Sequence, residues 1–243
     1  KLSYLTSDIY KIALSRYFCF RFGGYMFLAR EYGTSFGEVL TFTTISQLDA
    51  YLETIPKWKN YAKNKKQIRV FNIPNYSGKG GAVMTGFELA KGEYIGFSDA
   101  DNSTNPENFY KLYKYKDNYA GIVGSRKIKG AIINPKRRKM QDLSSFFFNL
   151  FVKLLFNLKY YDTQCGAKLF KKNIAKFLVK NYLEPGWIFD VNLLYLCKKN
   201  GFKIYEYPIN WKDSEGSKLT IKEGFVSILK LFKYKFKTIF YGL

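Results

Sequence analysis

Two carboxylates one residue apart are the most distinctive chemical feature of the sequence. Asp99 and Asp101 follow Glu93–Ser98, an apolar segment with the pattern of a buried strand. Carboxylates this close together in a loop can turn toward one cation, and oxygen ligands of this kind suit Mg²⁺ or Mn²⁺. A plainer interpretation is a solvated turn before a helix capped at Ser103 or Asn105. The buried strand that delivers both acids favours the metal interpretation.

A lysine among glycines is the second candidate. Lys79 lies between Gly78 and Gly80, just before the predicted helix Ala82–Ala90. Glycines let a ligand approach the backbone, and a helix N-terminus favours anions. The P-loop pattern GxxxxGK[ST] is absent, so the segment is either a phosphate-binding loop or a tight turn.

The elements around these residues alternate along the chain. Because strands alternate with helices, the pattern predicts an α/β sheet with parallel strands, crossover helices and ligands beyond the carboxyl ends of the strands. The predicted strands are Gln67–Asn72, Glu93–Ser98, Ala120–Ser125 and Phe202–Tyr207, and the predicted helices are Leu48–Tyr61, Ala82–Ala90, Pro106–Tyr115, Ser144–Leu158, Trp187–Lys199 and Lys222–Phe240. Residues 1–45 show no clean period. We therefore divide the chain into an atypical segment 1–60, a core 61–220 and a basic amphipathic helix in 221–243.

Composition excludes several classes of enzyme. The 243 residues contain no histidine, which rules out Ser-His-Asp relays and HExxH zinc sites. Three scattered cysteines form neither a disulfide framework nor a metal cluster. The chemistry must therefore use carboxylates, Lys and Arg, hydroxyls and a hard cation.

The net charge calls for an acidic partner. Lys and Arg number 40 against 19 Asp and Glu, a formal charge of +21, so nucleic acid, anionic lipid and phosphorylated small molecules are the candidates. Lys111–Lys139 carries ten basic residues and one acidic residue. This segment is either a solvated surface or a site for a lipid phosphate and anionic headgroups. The phenylalanines of Ser144–Leu158 and the C-terminal helix fit membrane contact or core packing equally well.

Residues 67–220 resemble a family 2 glycosyltransferase of the GT-A fold, a mixed, mostly parallel Rossmann-like sheet flanked by helices. Within the family they are most similar to dolichyl- or polyprenyl-phosphate glucosyl- and mannosyltransferases. The matching segments occur in family order: SGKGGAVMTGFELAKGEYIGFSDADNST (77–104), IVGSRKIKG (122–130), YDTQCGAKLF (161–170), WIFDVNLLYLCKKNGFKIYEYPINW (187–211) and EGSKL (215–219).

The resemblance implies roles for individual residues on the donor side. Asp99 and Asp101 correspond to the DxD pair that holds the metal bridging the sugar-nucleotide diphosphate. Lys79 and Gly80 match the loop near the nucleotide. Asp190 corresponds to the acid of the W-x-F-D motif, which either orients the sugar, acts as a base, or is an N-cap or buried hydrogen-bonded residue.

Further roles concern the acceptor. Arg126 matches an arginine near the acceptor phosphate, Ser145 a hydroxyl that contacts it, and Asp162 a structural or sugar-orienting acid. The family's second arginine is replaced by Gln141, so Arg137 or Arg138 would have to substitute.

The resemblance does not cover the beginning of the chain. The family's opening strand motifs, V-x-I-P-x-Y-N-E and D-D-G-S, are absent from residues 1–66. If the two corresponding strands are missing, the sheet has an exposed edge.

We therefore expect a metal-dependent, inverting transfer of a hexose from a nucleotide sugar, with UDP-glucose favoured, to a polyprenyl or dolichyl phosphate. The expected cofactor is Mg²⁺ or Mn²⁺. The expected location is the cytosolic face of a membrane, with an anionic surface and no nucleic acid as partner. The alternatives are a family 2 enzyme with a saccharide hydroxyl as acceptor and, more distantly, a nucleic-acid-binding protein or an inactive remnant.

Overall fold

The computed structural model describes residues 24–30, 37–43, 68–72, 78–99, 103–104, 106–134, 139–184, 186, 188–212 and 221–241. The strands in these residues are β1 Gly24–Arg30, β2 Gly37–Thr43, β3 Ile68–Asn72, β4 Tyr94–Asp99, β5 Gly121–Ser125, β6 Ile132–Asn134, β7 Ala167–Lys171, β8 Ile204–Pro208 and β9 Asn210–Lys212. The helices are α1 Gly78–Leu89, α2 Pro106–Tyr113, α3 Lys139–Phe156, α4 Lys172–Asn181, α5 Phe189–Lys199 and α6 Ile221–Phe240.

Seven of the described strands form one mixed sheet in the order β3-β2-β1-β4-β7-β5-β8. Strands β2, β3, β4, β5 and β8 run in one direction, while β1 and β7 run against them. Strands β6 and β9 form a small parallel pair of their own. The predicted α/β class with a mixed, mostly parallel sheet and flanking helices is confirmed, and the four predicted strands, β3, β4, β5 and β8, all run in the same direction.

Strands β4 and β5 form in the interior of the sheet because their sequences are apolar on both faces. All of β5 is buried, and so are the four inner residues of β4, as expected for strands covered by helices on both sides. On one side Phe87 of α1 and Phe189 of α5 pack against Phe97 of β4. Burying side chains of this size contributes about 1.5–3 kcal/mol each. The core thereby holds the carboxyl end of β4 in place.

The start of α1 differs from the prediction. The helix begins at Gly78 rather than Ala82, so the Gly-Lys-Gly-Gly stretch is its first turn and not a loop before it. Glycine is a poor helix former, but a Cβ on Gly80 would overlap Phe189. The absence of a side chain therefore lets α1 approach α5 closely, and this packing outweighs the low helix propensity.

For most of the other predicted helices and strands, the observed ends lie within a few residues of the predicted ones. Some observed elements were not predicted. Strand β7 and helix α4 were not predicted, and the predicted helix Leu48–Tyr61 lies outside the described residues. Two strands were also not predicted in residues 1–45. Strands β1 and β2 lie inside the sheet, where β1 pairs with β4 and β2 with β3. The condition stated for an exposed edge, two missing strands, is therefore not met at these positions, although the family's opening motifs are absent.

A buried hydrogen bond joins helix α6 to helix α5. The Nδ2 group of Asn192 donates a hydrogen bond to the hydroxyl oxygen of Tyr234 at 2.5 Å, and both side chains are fully buried. The other side-chain atom of the amide, Oδ1, accepts from the backbone N–H of Leu183 at 2.9 Å. Within the described residues, no helix combines the length and the apolar character needed to cross a membrane.

Replacing Tyr234 with Phe should lower the free energy of unfolding by about 1–3 kcal/mol, because it leaves the buried Nδ2 of Asn192 without an acceptor. Urea unfolding followed by circular dichroism measures this. The matched control is Tyr241→Phe, since Tyr241 is exposed and its hydroxyl can be replaced at little cost. Equal midpoints for the two variants would show that the Asn192–Tyr234 bond does not hold α6.

Candidate active site

Three chain segments meet at one edge of the sheet. Strands β4 and β5 run in the same direction and end there, at Asp99 and Ser125, while β7 lies between them and begins there, at Ala167. Because β7 is antiparallel to both, the turn that precedes it lies at the carboxyl ends of its neighbours. Asp99, Arg126 and the turn 162–166 are therefore brought together, as expected for a ligand site in an α/β sheet.

Asp99 lies against the chain of the neighbouring turn. Its backbone N–H donates to the carbonyl of Gly166 at 2.9 Å, and a Cβ on Gly166 would overlap the Asp99 carboxylate. A glycine is therefore required beside this acid. The Oδ1 atom of Asp99 is buried and accepts no directed hydrogen bond from the described residues. Its nearest charged neighbour is the ammonium group of Lys79, at 2.8 Å.

Lys79 lies in the first turn of α1 and contacts two acids. Its ammonium nitrogen is 2.8 Å from Oδ1 of Asp99 and 3.7 Å from Oδ2 of Asp190, and its side chain is 6% exposed. The rings of Phe97 and Phe189 lie 5.9 and 5.3 Å from the ammonium group. Such apolar walls strengthen the attraction between opposite charges, since they keep water away.

Asp190 is fully buried in the first turn of α5. The N-cap of this helix is Ile188, so the N-cap interpretation of Asp190 is wrong and the buried, hydrogen-bonded one is correct. Its Oδ1 accepts a hydrogen bond from Lys168 at 2.5 Å. Lys168 is itself fully buried and also donates to the carbonyls of Thr163 and Cys165, at 3.1 and 2.7 Å. Asp190 is thereby tied to the turn before β7.

Arg126 and Asp162 form a second buried pair. The Nε and Nη2 groups of Arg126 donate to the two carboxylate oxygens of Asp162 at 2.6 and 2.8 Å, and the Arg126 backbone N–H donates at 3.0 Å. Burial opposes the charge on both groups, yet each partner stabilises the other. The result is that the pKa of Asp162 is well below its usual range and the pKa of Arg126 is raised.

This pairing limits what the two side chains can do. Asp162 is held as a carboxylate, because both of its oxygens accept hydrogen bonds from Arg126 and its pKa lies well below its usual range. The Arg126 guanidinium lies 5.4 Å from the centre of the Trp211 ring. If Arg126 contacts an acceptor phosphate, it does so through the guanidinium N–H groups that do not donate to Asp162.

Some of the residues predicted to contact the acceptor are among the described residues. Ser145 lies in α3, and its hydroxyl accepts a hydrogen bond from the ammonium group of the exposed Lys127 at 2.7 Å. The sequence prediction missed Lys127 as a partner of Ser145. Arg137, Arg138 and Asp101 lie outside the described residues.

Asp99 has two features that suit a divalent cation. Its buried Oδ1 without a directed hydrogen bond, and the glycine that leaves room for its carboxylate, are the features of an acid kept available for a charged ligand. Among the described residues no group of three or more Cys, Asp or Glu side chains is placed to hold a metal, and Asp101 is not one of these residues. Asp99 therefore fits one carboxylate ligand of a divalent cation.

Lys168 was the main functional residue missed from the sequence, although its signal was present. It is buried between apolar residues of the strand Ala167–Lys171, whose other lysine, Lys171, is the last residue of the strand. A charge at such a buried position must have a partner. Cys165 is buried, and burial raises the pKa of its thiol to about 12. This thiol is a packing group in the core.

Comparisons with known proteins identify the family of the chain. The family model described as Glycosyl transferase family 2 matches residues 53–178. The chain belongs to this family, since the match covers more than half of it. The mixed α/β sheet with flanking helices is consistent with the GT-A fold of this family.

The chain is similar to dolichyl-phosphate beta-glucosyltransferases from several organisms. The Dictyostelium discoideum protein is 32% identical over 183 residues, which are 73% of this chain and 54% of that protein. The Homo sapiens protein is 32% identical over 168 residues, 66% of this chain and 51% of that protein. The Saccharomyces cerevisiae protein is 28% identical over 188 residues, 71% and 55% respectively. The chain thus spans about half the length of these relatives.

Asp162→Asn should lower the free energy of unfolding at neutral pH by about 3 kcal/mol, because it leaves the Arg126 charge without its buried partner. The lowered pKa of Asp162 means that its contribution is present above the unfolded value of about 4 and is lost as the pH falls toward the folded one. Denaturant titrations at a series of pH values should therefore show a shallower loss below about pH 4 in the variant than in the wild type.

The control for this prediction is Asp117→Asn, which removes an exposed acid paired with Lys116. It should leave the unfolding free energy near the wild-type value at all pH values. Parallel stability–pH curves for wild type and Asp162→Asn would contradict the role assigned to the buried pair.

Proposed function

We propose that the protein transfers glucose from UDP-glucose, with the aid of Mg²⁺ or Mn²⁺, to dolichyl phosphate or a related polyprenyl phosphate. The observation that carries the proposal is the meeting of Asp99, Lys79 and Asp190 at the carboxyl edge of the sheet. The names of the relatives support the sugar and the acceptor. Inversion at the sugar carbon follows from direct attack by the acceptor.

On the donor side the chain offers charges for a diphosphate. A divalent cation held by Asp99 and Asp101 would neutralise the leaving diphosphate. The Lys79 ammonium lies 2.8 Å from Asp99 and can bind phosphate oxygens at the same place. Its position in the first turn of α1 adds the positive end of the helix dipole. These groups favour departure of the nucleotide because the charge that develops there is matched by fixed cations.

On the acceptor side a strong base is unnecessary. A phosphate monoester oxygen already carries negative charge near neutral pH, so the acceptor has to be positioned rather than deprotonated. Lys127, with its bond to the Ser145 hydroxyl, and Arg126 are the described groups that suit a phosphate. Arg137 and Arg138, which lie outside the described residues, are the further arginines proposed for this phosphate.

The geometry of Asp190 favours a phosphate acceptor over a saccharide hydroxyl. A hydroxyl acceptor would need a base, and Asp190 is the candidate for it. Both oxygens of Asp190 already face lysine ammonium groups, at 2.5 and 3.7 Å. A carboxylate in this position suits electrostatic support and orientation of the sugar rather than removal of a proton.

The membrane is the proposed partner of two exposed apolar helix faces. On α3 the exposed side chains follow helical spacing: Leu143, Phe146, Phe147, Leu150 and Leu154. On α6 they are Leu229, Phe232, Phe236, Ile239 and Phe240. The faces adjoin, since the rings of Phe151 and Phe232 are 6.1 Å apart. We name these ten residues the apolar face; their exposure disfavours the core-packing interpretation.

The positive charge around the apolar face favours an anionic lipid surface as its partner. Lys153, Lys230 and Lys233 are exposed on the same two helices, and the whole chain carries +21. Apolar side chains bordered by lysines are typical of helices that lie in the membrane interface. Because Ser145 is on α3 beside Phe146, a lipid acceptor would reach the site from this face. The protein would then work at the periphery of a membrane, on its cytosolic side.

The transfer itself can be measured with radiolabelled UDP-glucose and dolichyl phosphate in detergent micelles. The full chain should form glucosylated lipid only with Mg²⁺ or Mn²⁺ present. Asp99→Ala and Asp101→Ala should each reduce the rate by about 10²–10³-fold, the scale on which one stabilising charge contributes to catalysis. Asp117→Ala is the charge-matched control and should retain the wild-type rate.

Two results would contradict the proposed reaction. One is an equal rate in Asp99→Ala and the wild type. The other is transfer to soluble saccharides, or from GDP-mannose, without transfer from UDP-glucose to lipid phosphate.

Vesicle flotation tests the membrane contact. Phe236→Ser combined with Phe240→Ser should weaken binding to phosphatidylcholine–phosphatidylserine vesicles by about tenfold or more, because each buried phenylalanine contributes roughly 1.5–3 kcal/mol. Tyr161→Ser, which changes an exposed aromatic residue outside α3 and α6, is the control. The membrane proposal is wrong if the wild type does not bind the vesicles and forms a dimer that the double variant does not form. In that case a second copy of the chain covers the apolar face.

A further inference from the structure

Four charged side chains form a buried row of alternating sign beneath the donor site. The order is Asp99, Lys79, Asp190 and Lys168, with nitrogen–oxygen separations of 2.8, 3.7 and 2.5 Å. Lys79, Asp190 and Lys168 are all less than one-tenth exposed. Two positive and two negative charges cancel, so the row is neutral without any ligand. Buried charges are tolerated only when they are compensated in this way.

The two lysines of the row are held very differently. The ammonium group of Lys168 donates to Asp190 and to two backbone carbonyls, at 3.1 and 2.7 Å, which uses all three of its hydrogens. The Lys79 ammonium lies between two carboxylates and two aromatic rings. Its four-carbon stem can carry it away from Asp99 while Lys168 continues to neutralise Asp190. Of the two lysines, Lys79 is the one that lies next to Asp99.

We propose that Lys79 is the built-in counter-cation of the donor site. Its ammonium group neutralises Asp99 while the site is empty, and it turns from Asp99 to the phosphate oxygens when a nucleoside diphosphate arrives with its divalent cation. The inference rests on the proposed function, since it takes the nucleoside diphosphate as the ligand.

The consequence is that cation and nucleotide must bind together. A divalent cation that arrives alone has to displace the ammonium group from Asp99, and both cations then repel each other across a few ångströms of poorly solvated space. When the diphosphate is present, the displaced ammonium group gains phosphate oxygens as new acceptors. The cation should therefore bind weakly alone and tightly with the nucleotide, and the coupling should be reciprocal.

Electron paramagnetic resonance titrations of free Mn²⁺ test this without turnover. For the wild-type full chain, saturating UDP should tighten Mn²⁺ binding by about tenfold or more, within the usual range of coupling between sites. Lys79→Met should bind Mn²⁺ alone about tenfold more tightly than the wild type, because the competing charge is gone. The tightening caused by UDP should shrink in the same variant. Lys79→Arg should retain weak binding of Mn²⁺ alone, since it preserves the charge.

Lys91→Met is the matched control. It removes the same charge from an exposed position just beyond the opposite end of α1 and should behave as the wild type does. Circular dichroism establishes that each variant is folded. If Lys79→Met does not fold, the wild-type and Lys79→Arg titrations with and without UDP still decide the matter.

Two outcomes would overturn the inference. The first is Mn²⁺ binding by folded Lys79→Met that is equal to or weaker than wild-type binding in the absence of UDP, which would make Lys79 a support for Asp99 rather than its competitor. The second is wild-type Mn²⁺ affinity that UDP does not change. Loss of glucosyl transfer to lipid alone would affect only the proposed function, because the titrations measure metal and nucleotide binding.

Discussion

Compensation of buried carboxylates is the constraint on which the site depends. Asp162, Asp190 and one oxygen of Asp99 lie away from water at the end of the sheet, where an unpaired negative charge would be costly. Each has a basic partner: Arg126, Lys168 and Lys79, respectively. Because the sequence contains no histidine, these partners are lysines and an arginine. The site is therefore built for binding and stabilising negative charge rather than for relaying protons.

The antiparallel strand β7 makes this compensation possible. A parallel strand at the same place would begin at the far end of the sheet and carry the turn 162–166 away from the site. Because β7 runs against β4 and β5, the turn lies beside Asp99 and holds both Asp162 and the carbonyls that bind Lys168. Gly166 completes the arrangement, since any larger residue would meet the Asp99 carboxylate. One reversed strand thus connects the donor and acceptor sides.

Local features of the chain were predictable where local physics decides them. The apolar segment ending at Asp99 had to be a buried strand, and its acid had to lie at the sheet edge. The prediction failed at the start of α1, because the packing of Gly80 on Phe189 outweighs helix propensity. Lys168 was missed because its partner Asp190 is 22 residues away. The Arg126–Asp162 pair spans 36 residues, and no local pattern links two residues so far apart.

The sequence by itself determined the α/β class, the acidic end of β4, the positive charge and the exclusion of histidine chemistry, since each follows from residue type, periodicity or composition. The tertiary structure decided which charges meet. It placed Lys79 between two acids, bound Arg126 to Asp162 and left the apolar face of α3 and α6 uncovered. These outcomes depend on strand direction and helix packing across segments distant in the chain. Short-range sequence patterns carry no information about such contacts. Which charged side chains pair in a poorly solvated site depends on the distances between them in the folded chain.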